Sequence, residues 1–196
     1  MEIKLKSSAN PLLYKMYKDL NGISFIPTLI KSEDGYDTFK INGRVGRSKP
    51  LNKEELTALA IMIKFIQNAS RFKLGGECYL NNRLTMDNII FNENGTPVQI
   101  LDWSMVSRGN GIEDLIMLID ELVDLLEERY SNKEALNRII GMGQFYNSCH
   151  KPLELGDKMK LYYENKIVTS ELCCMEEEAM RKLDFVEKYR RELNQI

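Results

Sequence analysis

The chain has 196 residues, 43% of them hydrophobic and 29% charged, an ordinary globular composition with enough apolar side chains for one ample core. Its 27 basic and 29 acidic side chains leave a net charge of −2, which argues against a nonspecific nucleic-acid binder working by phosphate neutralisation but leaves room for a local basic patch. The four cysteines, Cys78, Cys149, Cys173 and Cys174, show no Cys-x-x-Cys spacing and two are adjacent. No zinc site or disulfide framework is read from them, and a reducing, cytoplasmic setting is expected.

The first six residues, MEIKLK, alternate apolar and charged and read as a short edge strand. The N-terminal stretch is charged throughout, and no later segment approaches the ~20 apolar residues of a membrane span. Asn10-Pro11 opens a helix whose apolar stripe is Leu12, Leu13, Met16, Tyr17 and Leu20, and Asn21-Gly22 closes it. Residues 23–26 with 28–30, and then 36–41, read as strands expected to pair across the turn at 32–35. Arg44, Arg47 and Lys49 follow, interleaved with Gly46 and Pro50. They do not form a Walker loop, because no Gly-Lys-Ser/Thr joins a strand to a helix there, and the plain reading of the segment is a solvated connector.

A capping box, Asn52-Lys-Glu-Glu55, starts an amphipathic helix that runs to about residue 70. Two short apolar runs, 88–91 and 98–101, flank Asn94-Gly95 and read as a hairpin. Helices are then expected over 112–128, from a second capping box at Ser131-Asn-Lys-Glu134 to about 144, over 153–165, and over 169–194. The order is a small sheet-bearing N-terminal part and a mostly helical remainder with one hairpin set into it, an α+β pattern.

Asn88 precedes the first hairpin strand and Asp102 follows the second. Antiparallel pairing would bring both to one end of the ribbon, where their hard oxygens suit a divalent cation. Equally, Asn and Asp at strand boundaries are common turn formers that bond their own backbone. His150, the sole histidine, has no nucleophile or carboxylate in a recognisable arrangement beside it. Asp87 reads as a surface turn residue, Asp114 as a helix N-terminal carboxylate, and the methionines as core filler.

The stretch from Cys78 to Asp114 resembles the catalytic-loop and metal-loop region of the kinase-like superfamily, particularly its aminoglycoside phosphotransferase and choline kinase branch. That branch carries His-Gly-Asp-Leu-x-x-x-Asn-Ile-Leu, a hairpin, and Ile-Asp-Trp. Leu84, Asn88, Ile89, Ile90, Leu101, Asp102 and Trp103 match, and Gly111-Ile-Glu-Asp114-Leu resembles the start of the next helix, where Asp114 resembles the family's buried Asp that ties the catalytic-loop backbone to that helix. Where the family has its His and catalytic Asp, this chain has Asn81 and Arg83.

The resemblance implies a protein-kinase-like fold with a truncated small lobe over 1–49, lacking the glycine-rich phosphate lid, and a mostly helical large lobe over 50–196. It implies ATP and magnesium as cofactors, with Asn88 and Asp102 as metal ligands. Lys4 would lie on the phosphate-contacting strand, the backbone near Ile41 and Gly43 would face an adenine ring, and Arg83 would be an anion ligand or counter-ion. No catalytic residue is assigned, because a guanidinium cannot accept the proton of a substrate hydroxyl. The function expected is that of a degenerate, pseudokinase-like protein binding a nucleotide or a protein partner without efficient phosphotransfer. An active ATP- and magnesium-dependent phosphotransferase and a purely structural interaction protein are the alternatives.

Overall fold

A computed structural model describes residues 2–6, 11–27, 30–31, 36–40, 44–45, 52–147, 152–170 and 173–196. Glu2–Lys6 (β1) forms the expected edge strand, pairing antiparallel with Tyr36–Lys40 (β3), whose other edge carries Ile30–Lys31 (β2). Between them Pro11–Asp19 (α1) follows the proline start, burying Leu13, Met16 and Tyr17. Residues 23–26 do not form the strand read from their apolar character. Gly22 sits at φ +87°, and successive turns bond Ile23 N–H to Leu20 O (3.1 Å) and Ile26 N–H to Ile23 O (3.0 Å). Asn21-Gly22 on one side and Pro27 on the other impose turn geometry that outweighs strand propensity.

Arg44–Val45 (β4) precedes Lys53–Leu74 (α2), where the Asn52 side chain accepts from Glu55 N–H and the Glu55 carboxylate accepts in return from Asn52 N–H. This helix runs four residues past the expected end, to a left-handed Gly75 whose N–H reaches Arg71 O. Cys78–Leu80 (β5) pairs with Ser107–Gly109 (β8), a ribbon not anticipated from sequence. Both strands are three residues long, too short to display a period. Inside that ribbon, Ile89–Phe91 (β6) and Pro97–Ile100 (β7) form the expected hairpin, with β4 on the outer side of β6. Gly95 turns the hairpin at φ +79°, and a Cβ there would stand 2.3 Å from Glu55 Oε1, so the α2 capping box abuts the turn.

Helix Ile112–Glu127 (α3) is followed by Asn132–Tyr146 (α4), Leu155–Thr169 (α5) and Cys173–Leu193 (α6). The second capping box is formed between Ser131 and Glu134. None of the described helices is long and apolar enough to cross a membrane.

The chain is α+β and divides into two compact units, residues 1–118 and 119–196, whereas the sequence reading places its boundary at 49/50. Pairing of Arg44 with Phe91 and of Val45 with Ile90 binds the residues before that expected boundary to the central hairpin. In the first unit α2 lies against β5 and β7, with Leu59, Ile63, Ile66, Tyr79, Phe91 and Trp103 buried. In the second, α5 and α6 pack along their length. Gly156 permits that approach, since a Cβ there would come within 2.7 Å of the Arg190 carbonyl oxygen.

A candidate ligand site at the open end of the hairpin

The loop between β5 and β6 is built on a buried asparagine. Asn81, with none of its surface exposed, donates its backbone N–H to Asp114 Oδ2 (2.8 Å) and its amide Nδ2 to the carbonyls of Leu101 (3.2 Å) and Asp102 (3.1 Å). Its Oδ1 accepts the Arg83 N–H (3.1 Å). One side chain thereby joins the start of the loop, its third residue and the end of β7. Asn82 adopts the left-handed φ of +56°, which Asn tolerates better than most side chains. Its N–H reaches Asp114 Oδ1 (3.0 Å), and its amide reaches Met105 O (2.7 Å) and Ser107 Oγ (2.8 Å).

Asp114, at the start of α3, therefore clamps two consecutive N–H groups of the loop. Burial pushes its carboxyl up to about 6, although the Asn81 and Asn82 N–H groups pull the other way; the neighbouring Glu113 charge adds to the upward push. Of the two sequence readings of Asp114, the buried carboxylate that ties the loop backbone to the following helix describes these bonds, and the simple helix-end carboxylate does not account for them.

Asn88 and Asp102 flank one end of the hairpin, opposite the turn at 92–96. Ile89 pairs with Ile100, and Leu101 N–H donates to Asn88 O (2.7 Å) just beyond that pair. Asp102 follows at φ +45°, a left-handed step taken as the chain leaves the strand. Its Oδ1 accepts from the hydroxyl and, at 3.3 Å, the N–H of Ser104, while its Oδ2 faces Arg83 Nη1 at 2.9 Å. The Asn88 amide donates Nδ2 to the Arg83 carbonyl (2.7 Å), which also accepts the Thr85 N–H (2.8 Å).

Arg83 is consequently the junction of the site, holding Asn88 through its backbone and Asp102 through its guanidinium. The side chains of Arg83 and Asp102 are 57% and 26% exposed. Trp103, next to Asp102, is buried and donates Nε1–H to Ile100 O (2.9 Å), pinning the residue after the carboxylate. Asp87 is exposed on the 3₁₀ turn Met86–Asn88, as expected of a turn residue.

Arg83, Asn88 and Asp102 are brought together. Lys4 lies in β1 opposite Thr38, in a sheet separate from the hairpin's. Ile41 and Gly43 lie outside the described residues, as does His150.

The donor set does not fit a resident magnesium ion as arranged. Asp102 is its single carboxylate, and both oxygens are already engaged. Among the described residues no group of three or more His, Cys, Asp or Glu side chains gathers as a metal cage. The sequence reading missed the structural role of Asn81, noted there only as a departure, and that of Ser104. The available signal was position: Asn81 ends an apolar run, where a buried amide is expected to organise backbone, and Ser104 stands two residues after Asp102. No family model and no curated protein matches the chain.

Proposed function

We propose that the chain is a degenerate member of the kinase-like superfamily, related in pattern to the aminoglycoside phosphotransferase and choline kinase branch, and that it binds a nucleotide without efficient phosphotransfer. The observation that carries this reading is the 2.9 Å ion pair between Arg83 and Asp102. A hydroxyl acceptor needs a nearby group that takes up its proton or orients it, and phosphoryl transfer otherwise depends on positioned positive charge. Arg83 is always protonated and cannot serve as a base. It also neutralises the one carboxylate that would gather cations at the hairpin end.

The remaining residues support binding. The loop is rigidly referenced to β7 and α3 through Asn81 and Asp114, so the Arg83 backbone is held while its half-exposed guanidinium presents a fork of donors suited to phosphate oxygens.

The test is thermal unfolding with ATP, in EDTA and in magnesium. A ligand that binds the native state raises stability by RT ln(1 + [L]/Kd). The expected result is a nucleotide-dependent rise in Tm that survives EDTA and is diminished in Arg83→Gln. No shift under either condition would remove the nucleotide from the reading and leave a protein partner as its ligand.

A further inference from the structure

We propose that Asp102 is an internal competitor for the anion seat of Arg83: its carboxylate holds the guanidinium that a phosphate chain would take, and an uncomplexed polyphosphate binds by displacing it. The proposal rests on the reading above for the nucleoside part of the ligand, while the competition follows from the local geometry alone.

The two charges are held by partners that do not depend on each other. Arg83 N–H donates to Asn81 Oδ1 (3.1 Å), and the Arg83 carbonyl accepts from Asn88 Nδ2 (2.7 Å) and Thr85 N–H (2.8 Å), so the root of the side chain is fixed through its backbone. Beyond that root the side chain is more than half exposed, and its guanidinium meets Asp102 Oδ2 through Nη1 at 2.9 Å. A guanidinium carries five N–H donors, and this contact engages a single nitrogen. The group can therefore turn toward a ligand in solution while the loop stays as it is.

Asp102 cannot follow it. Its Oδ1 accepts from the Ser104 hydroxyl and, at 3.3 Å, the Ser104 N–H, and the next residue, Trp103, is buried and bonded to Ile100 O (2.9 Å). The carboxylate thus remains at the hairpin end when the guanidinium leaves, and an arriving anion meets a fixed negative charge beside the arginine.

This arrangement selects the ligand. A monoanion brings no more charge than the carboxylate it must displace, whereas a di- or triphosphate chain brings several charges and oxygen pairs that match the guanidinium fork. The competition also has a signature opposite to that of a metal ligand, because removing the carboxylate tightens binding instead of weakening it.

Isothermal titration calorimetry with inorganic tripolyphosphate in EDTA reads that signature. The proteins compared are wild type, Asp102→Asn, Asp102→Gly, Arg83→Gln, Arg83→Gln combined with Asp102→Asn, and Glu93→Gln. Position 102 has a φ of +45°, which Asn and Gly both tolerate, and Asn keeps an oxygen for Ser104. Glu93 is exposed in the hairpin turn, at the other end from Asp102, and its replacement changes the net charge by the same amount. Asp102→Asn and Asp102→Gly are expected to bind about three- to fivefold tighter than wild type, the worth of an exposed ion pair. Glu93→Gln should bind as wild type does. Arg83→Gln should bind weakly, and equally with or without Asp102→Asn.

Unchanged or weaker binding in a position-102 variant that melts as the wild type does would overturn the proposal. So would a gain that persists without Arg83, an equal gain in Glu93→Gln, or the absence of tripolyphosphate binding in every protein of the set. Two replacements are used at position 102 so that misfolding of one leaves the other to decide. Tripolyphosphate carries no nucleoside, so failure of the competition and failure of ATP binding are read in separate experiments.

Discussion

Two ion-pair clusters in this molecule are built from the same chemistry and put to opposite uses. In the second unit Lys182 is only 2% exposed, and its ammonium meets Asp120 (2.8 Å), Asp124 (2.6 Å), Glu178 (2.8 Å) and the Asp120 carbonyl (2.9 Å). Asp120 in turn accepts from Lys166 (2.8 Å), Tyr162 (3.2 Å) and Tyr163 (3.0 Å), so α3, α5 and α6 meet at one carboxylate. Burial pushes the Asp120 carboxyl up, but hydrogen bonds from Lys166 and Lys182 outweigh it and hold the group below its ordinary value. Burial likewise pulls the Lys182 ammonium down, and bonds to Asp120, Asp124 and Glu178 reverse the sign.

In the first unit the Arg83–Asp102 contact is a single one, through one guanidinium nitrogen, with the arginine side chain more than half exposed and the aspartate about a quarter exposed. A network centred on a buried ammonium and a mostly buried carboxylate cannot give up either for a ligand without leaving a charge stranded, so it serves to fix helix positions. A single contact made by a half-exposed arginine side chain can open at small cost and meet something from solution.

The largest expected effect separates the two clusters. Asp120→Ala leaves the buried Lys182 without its central partner and should cost about 3–5 kcal/mol, the penalty for breaking a buried pair. Urea unfolding followed by circular dichroism reads it. Lys182→Met, which replaces the ammonium with an apolar side chain and leaves Asp120 to Lys166 and the two tyrosines, should cost clearly less. Equal losses from both would mean that the network is not centred on Asp120.

Next in size is the pH response of Asp114. Its carboxyl is raised from 3.8 to about 6, so the stability it contributes is fully present below 3.8 and is lost as pH rises through about 6. The shift corresponds to roughly 3 kcal/mol. Relative to Asp114→Asn, the wild type should gain up to that amount as the pH falls from 7 to 4, read from urea midpoints. A difference independent of pH would show that Asp114 does not titrate in this window.

Asn81→Ala comes third. It removes the amide bonds to Leu101 O and Asp102 O and the acceptor of Arg83 N–H, and should cost about 1–3 kcal/mol, because buried backbone groups lose their partners. The smallest change is Arg83→Gln, within about 1 kcal/mol of wild type, as measured for exposed ion pairs. A larger loss would place Arg83 with the buried network as a structural residue and remove the basis for treating its guanidinium as displaceable.

Legibility in the sequence followed the physics of each element. Both capping boxes were readable because four adjacent residues carry the whole signal, and the hairpin because Asn94-Gly95 lies between two apolar runs. The β5–β8 ribbon was not, since its partners are three-residue strands far apart in the chain and nothing local records their pairing. Residues 23–26 misled because apolar character indicates burial without specifying backbone direction, and Gly22 and Pro27 turned the chain instead. At the site, Asn88 and Asp102 were legible as a pair from their positions around the hairpin. Asn81 was not, because an asparagine's role as a backbone organiser depends on three carbonyl and amide groups brought to it from residues 83, 101 and 102.

The central claim is that Arg83 and Asp102 form a closed ion pair where a phosphotransferase of the proposed superfamily would use a base and a metal ligand. Its most direct test is phosphate release or transfer from ATP by the purified protein in magnesium, measured beside Asp102→Ala. The account predicts turnover indistinguishable from that of the Asp102→Ala variant. Robust turnover by the wild type that Asp102→Ala abolishes would contradict it and make the chain an active phosphotransferase.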